Sequence, residues 1–164
     1  MYYTGVSAFI NRYSLPQAFN NDGDLIAQYV ALYEKPTIYQ LLGQELADAF
    51  YLDFLAGRFD PAIGEFFSFV IDEHTYTCDG LRDIVTAIIY CHYVREQLQF
   101  VTSIGAMQPS VEAGKVSNDN YTNAMKVYNH AAKQSEYLVK YIESKPDVYP
   151  EFKNGHRLET TWFI

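Results

Sequence analysis

The sequence predicts a mainly α-helical domain with a long inter-helix loop, a short hairpin and extended termini. Three observations predict it. Apolar residues recur at helical spacing from Leu25 to Leu55, from Leu81 to about Phe100 and from Tyr121 to Ile142. The segment from Val101 to Asn120, with Gly105, Pro109 and Gly114, breaks that spacing between the second and third stretches. Both chain ends lack it. The 164 residues suit one domain, 1–164, long enough to bury a sizeable core, and no internal repeat or interdomain linker divides them.

Met1 to Asn21, with Gly5, Pro16 and scattered apolar residues, reads as an extended arm holding one short strand or helical turn. It either packs on its own domain or reaches a neighbour. Asn21-Asp22-Gly23-Asp24 is a helix-start cluster, its side chains able to accept from free N–H groups. The stripe Leu25, Ile26, Tyr29, Val30, Leu32, Tyr33 follows. Pro36 removes a helical bond and disfavours the helical region at Lys35, so a kink or break is expected there. Gly43 marks a turn before a second helix, Gln44 to Leu55, with Leu46, Phe50, Phe54 and Leu55 inward; Gly57 suits a left-handed cap.

Asp60-Pro61 begins a short helical turn. Phe66 to Ile71 and Thr75 to Thr77 are rich in strand formers around a polar break, which suits a small hairpin. The helix opened by Asp79-Gly80-Leu81 is apolar all round, as a helix covered on most sides must be. Arg82, Asp83, Arg95 and Glu96 mark its wet ends. Ser117 reads as the cap of the last long helix, with Asp119 in its first turn. That helix carries one stripe, including Ala124, Tyr128, Ala131, Ala132, Leu138 and Ile142. Residues 144–164 form an extended tail in which HRLETTWFI alternates as a strand does. Trp162, Phe163 and Ile164 would expose apolar surface unless the tail docks, on its own domain or on a neighbour.

The composition excludes several functions. Net charge is −8, which argues against binding nucleic acid by phosphate neutralisation. No apolar run approaches the roughly 18 residues of a membrane span, and the N-terminus lacks the basic region of a signal peptide. Cys78 and Cys91 suit free thiols in a reducing compartment. Fifteen Tyr and eleven Phe are more rings than a small monomer easily hides, and Tyr is favoured at interfaces. His74, Cys78, Cys91 and His92 have zinc-ligand chemistry, but Cys91 and His92 diverge by about 100° on one helix, and no C-x-x-C accompanies them. A Cys–His nucleophile pair lacks a third residue to orient the base. His130 and His156 stand alone. Phosphate loops are absent. No catalytic residue, cofactor or metal site is therefore assigned.

The succession YVALYEKPTIYQLLGQELADAF, DGLRDIVTAIIYCHYVREQLQFVTSIGAMQP, VSNDNYTNAMKVYNHAAKQSEYLVKYI resembles the head–tail connector (adaptor) proteins of tailed bacteriophages. The tail YPEFKNGHRLETTWFI is similar to the ring proteins of crAss-like phages. The likeness covers Asp22 to Ile142. It lies in patterns: an acidic-aromatic first helix ending in Leu-Gly, a Tyr-rich central helix ending in Tyr-x-Arg, a Thr-x-x-Gly segment and a Val-Ser helix start. The resemblance implies a small antiparallel helix bundle that assembles in many copies, typically twelve, as a ring under the portal. Its partners would be itself, the portal protein and the next tail or ring protein. The genome would pass through without specific binding, and the protein would reside in the virion, assembled in the host cytoplasm. It implies no catalytic residues. Val101 to Ser117 is the expected docking segment, with Thr102, Ile104, Met107, Gln108, Val111 and Val116 as contacts. The second is Trp162, Phe163 and Ile164. The alternative is a small soluble helical interaction module or regulator; an enzyme is the less favoured third.

Overall fold

A computed structural model describes residues 3–9, 13, 23–55, 61–98, 111–153, 155 and 158. The fold is mainly α-helical with one two-stranded antiparallel sheet. Helix α1 (Gly23–Leu42) and helix α2 (Gln44–Leu55) meet at Gly43. Its φ of +73° is left-handed, its N–H caps the Tyr39 carbonyl at 3.0 Å, and its own carbonyl accepts from Ala47, so α2 starts at once.

The break expected at Pro36 does not occur: α1 runs through it. The missing N–H would have bonded the carbonyl of Leu32. Leu32 and Pro36 lie on the solvent side, where water can take the place of that bond. Leu32 is thus not in the buried stripe, which is Tyr29, Val30, Glu34, Thr37, Ile38, Leu41 and Leu42. On α2, Leu46, Ala47 and Phe50 are buried and Phe54 half-buried, whereas Leu55 faces solvent, contrary to expectation. It follows Phe54 by one residue and so points about 100° away from that face. Gly57 lies outside the described residues.

After the single turn α3 (Pro61–Gly64) comes the expected hairpin, strands β1 (Phe67–Ile71) and β2 (His74–Cys78). They pair from Phe67 opposite Cys78 to Ile71 opposite His74. Asp72 and Glu73 make the two-residue turn, both left-handed at φ of +49° and +64°. Phe67 and Phe69 lie on the ring of Tyr141 at 4.6 and 5.3 Å, and Tyr76 meets Tyr137 at 5.3 Å. Ser68 and Val70, on the opposite face, are exposed.

Helix α4 (Leu81–Leu98) is the centre of the core, buried on nearly every side as its sequence predicts. Gly80 leads into it at φ +90°, and a Cβ there would lie 2.4 Å from the Glu65 carbonyl oxygen. Helix α5 (Val111–Glu143) packs along α4 through Ala124, Tyr128, Ala131, Ala132, Leu138 and Ile142, the small residues allowing close approach. Its start corrects the expected one. The helix begins at Val111 rather than at Ser117, so residues 111–120 are helical and Val111 and Val116 sit on its first turns. One glycine, Gly114, costs a helix only about 1 kcal/mol, which the rest of so long an element outweighs.

The described residues near each end pack on the same domain. Tyr3, Thr4, Phe9 and Tyr13 are buried, around a 3₁₀ turn at Val6–Phe9. Beyond α5, successive turns carry the chain to Lys153, whose ammonium meets Glu45 of α2 at 2.6 Å. A Cβ on Gly155 would lie 2.5 Å from the Leu41 carbonyl. Leu158 is buried, its N–H donating to Ser135 Oγ at 3.4 Å. Of the alternating strand expected over HRLETTWFI, residues 156–164, Leu158 alone is among the described residues.

Candidate functional site

Of the expected contact residues, Thr102, Ile104, Met107, Gln108, Trp162, Phe163 and Ile164 lie outside the described residues. What is described is the ground from which residues 99–110 depart. On α4, His92 and Glu96 are one turn apart, as are Tyr29 and Tyr33 on the facing side of α1. Both tyrosine hydroxyls donate to Glu96, Tyr29 at 2.7 Å and Tyr33 at 2.5 Å. His92 stacks on Tyr33 with centroids 3.8 Å apart, and Tyr29 meets Tyr93 edge-on at 5.3 Å.

The electrostatics follow. The Tyr33 hydrogen bond, with that of Tyr29, holds the Glu96 carboxyl below its usual range, against the opposing effect of burial. Burial, with Arg95 nearby, brings His92 down to about 4, so its ring is neutral at pH 7. A carboxylate tuned downward is unsuited to act as a general acid at neutrality. The cluster is built as an anchor between α1 and α4, at the end of α4 from which residues 99–110 continue.

The second cluster holds the N-terminal arm. Glu34 is 2% exposed, and its two carboxylate oxygens accept the consecutive backbone N–H groups of Tyr3, at 3.0 Å, and Thr4. The Tyr3 ring meets Phe50 and Phe54 edge-on at 5.0 and 5.5 Å, with the Arg82 guanidinium 5.1 Å from its centroid. Its hydroxyl donates to the Gly64 carbonyl at 3.2 Å, and burial pushes its pKa up to about 12. Tyr13 donates to Asp83 at 2.7 Å. Sequence reasoning missed Glu34. The signal was a charged residue on the apolar face at Val30, Glu34, Ile38.

The third corrects the reading of His130 as solitary: its Nε2 lies 2.6 Å from Asp79 Oδ2. Gln134, one turn on, accepts the Asp79 N–H on its side chain at 2.9 Å and the Cys78 thiol on its carbonyl at 3.6 Å. Cysteine, histidine and aspartate thus share one neighbourhood. The thiol is nonetheless fully buried, and burial pushes it up to about 11, so it is protonated and a poor nucleophile at neutral pH. Cys91, raised to about 12 by burial, donates to the Ala124 carbonyl at 3.3 Å. Among the described residues no group of three or more His, Cys, Asp or Glu is placed to hold a metal ion.

Large apolar side chains also face solvent: Leu32, Leu52, Leu55, Phe66, Val70 and Val148 are each more than half exposed. Among the described residues no helix is long and apolar enough to cross a membrane. The chain matches no protein-family model, no curated protein and no solved structure.

Proposed function

We propose that this chain is a head–tail connector (adaptor) subunit of a tailed bacteriophage, forming a ring under the portal that joins capsid to tail around the DNA channel. The reading is carried by the ordered sequence patterns of an acidic-aromatic first helix, a Tyr-rich central helix and a Val-Ser segment, with the chemistry of a protein that assembles rather than catalyses. The exposed leucines of α2, Leu52 and Leu55, add support, since apolar side chains of that size in solvent favour burial against a partner. The net charge of −8 suits a channel past which DNA slides without adhering. The partners are other copies of the chain, the portal and the next tail or ring protein, and no cofactor takes part. In a ring, one face of each copy meets a different face of the next.

The same exposed leucines fit a second reading, a small helical interaction module. Mixing the purified chain with the portal encoded in the same genome separates the two. A connector gives a closed ring on the portal by electron microscopy. Absence of portal binding, with a small fixed-stoichiometry complex on some other partner, sinks the connector reading in favour of the module.

A further inference from the structure

We propose that the slot around Glu34 is a receptor for a bent peptide segment, filled here by the chain's own Tyr3-Thr4 and open to the same segment of a second copy. The inference stands on the hydrogen bonds of Glu34 and does not rest on the connector reading.

The slot recognises its occupant through the backbone. Glu34, 2% exposed, accepts two consecutive amide N–H groups, one on each carboxylate oxygen. Peptide amides carry no mark of the chain they belong to, so recognition of this kind is indifferent to whether the segment arrives in cis or in trans. Side chains then set the sequence read. The first position takes an aromatic ring between Phe50, Phe54 and Arg82, with a hydroxyl that reaches the Gly64 carbonyl at 3.2 Å. The second position is closed: Thr4 is 1% exposed, so a small residue is required. The ligand class is a segment bent so that two consecutive amides face one carboxylate, with tyrosine followed by a small residue.

An empty slot is disfavoured, because it loses both amide hydrogen bonds to Glu34 and exposes the Tyr3 ring that is buried when seated. Exchange of one copy's segment for another's leaves every contact unchanged. The own arm is favoured only by its tether, which corresponds to an effective concentration in the millimolar range. That tether, residues 14–22, spans at most about 30 Å when extended, roughly the diameter of a small domain, so an arm can reach a touching copy.

The test uses the full chain with a specific protease site placed within residues 14–22. After cleavage, the fragment bearing Tyr3 stays with the body through gel filtration, and a labelled peptide of residues 1–13 displaces it, read by fluorescence anisotropy. The same peptide N-methylated at Thr4 lacks one amide donor and binds at least tenfold more weakly. Equal binding of the two peptides, or none by the unmodified one, overturns the receptor. For the second copy, uncut protein held at high concentration and then diluted shows a dimer that cleavage converts wholly to monomers. A dimer that survives cleavage, or no dimer at all, overturns exchange between copies.

Discussion

His92 and Glu96 sit one turn apart, yet their titrations affect stability in separate pH windows. The His92 ring lies against Tyr33, and its pKa is brought down to about 4, below the ordinary 6.5. Between those values the unfolded chain binds a proton that the folded chain does not, so stability falls as pH falls from about 6.5 to about 4. Glu96 is shifted down from 4.5, so its contribution is present above that value and is lost only as pH falls through its lower folded pKa. Comparing about pH 7 with about pH 5 therefore isolates His92 from Glu96. The expected outcome is a lower urea midpoint at the more acidic pH, with the difference reduced in His92→Phe, which keeps the stack on Tyr33. An unchanged difference in the variant assigns the acid loss to other groups. Gly80 gives a second test at this scale. Its φ of +90° and the 2.4 Å approach of a Cβ to the Glu65 carbonyl leave an alanine strained and without room. Gly80→Ala should cost about 2–3 kcal/mol by urea denaturation, with the slope of the transition unchanged.

Among the elements, what the sequence made legible was periodicity, and what it hid was competition between local signals and packing. The stripes of α4 and α5 were readable because each repeats over several turns and nearly every stripe residue is buried. Pro36 and Gly114 looked like breakers, but each acts on one bond or one residue, within helices of 20 and 33 residues held by tertiary contacts. Asp79–His130 and Glu34–Tyr3 were not legible, since their partners are 51 and 31 residues apart and only the fold brings them together. The irregular segment expected over Val101 to Asn120 is helical from Val111 onward. The hairpin was foreseen from its strand formers, but its turn was not, because Asp-Glu is poor chemistry for two successive left-handed residues. That mismatch gives a prediction for the element. Glu73→Gly removes the Cβ at φ +64° and should raise stability by about 1 kcal/mol in chemical denaturation. A loss instead of a gain would mean that the Glu73 side chain makes a compensating contact.

For the whole molecule, the question is what opposes and what favours contact between copies. Each copy carries −8, so two copies repel, and the range of that repulsion is set by salt: about 30 Å at 0.01 M and about 8 Å at 0.15 M. The exposed Leu52 and Leu55 on α2 offer contact that salt does not weaken. If apolar contact drives assembly against a like-charged background, self-association measured by sedimentation should strengthen as ionic strength rises from about 0.01 to about 0.15 M. Weakening over the same range would point to ion pairs as the main attraction, with the negative charges of one copy meeting a basic face of the next. Leu52→Lys with Leu55→Lys then tests the surface itself. Both side chains are already in solvent, so the urea midpoint should move by no more than about 0.5 kcal/mol equivalent. Association should drop at every salt concentration. Unchanged association in that double variant would move the contact off the outer face of α2 and leave Phe66, Val70 and Val148 as the remaining exposed apolar surface to test.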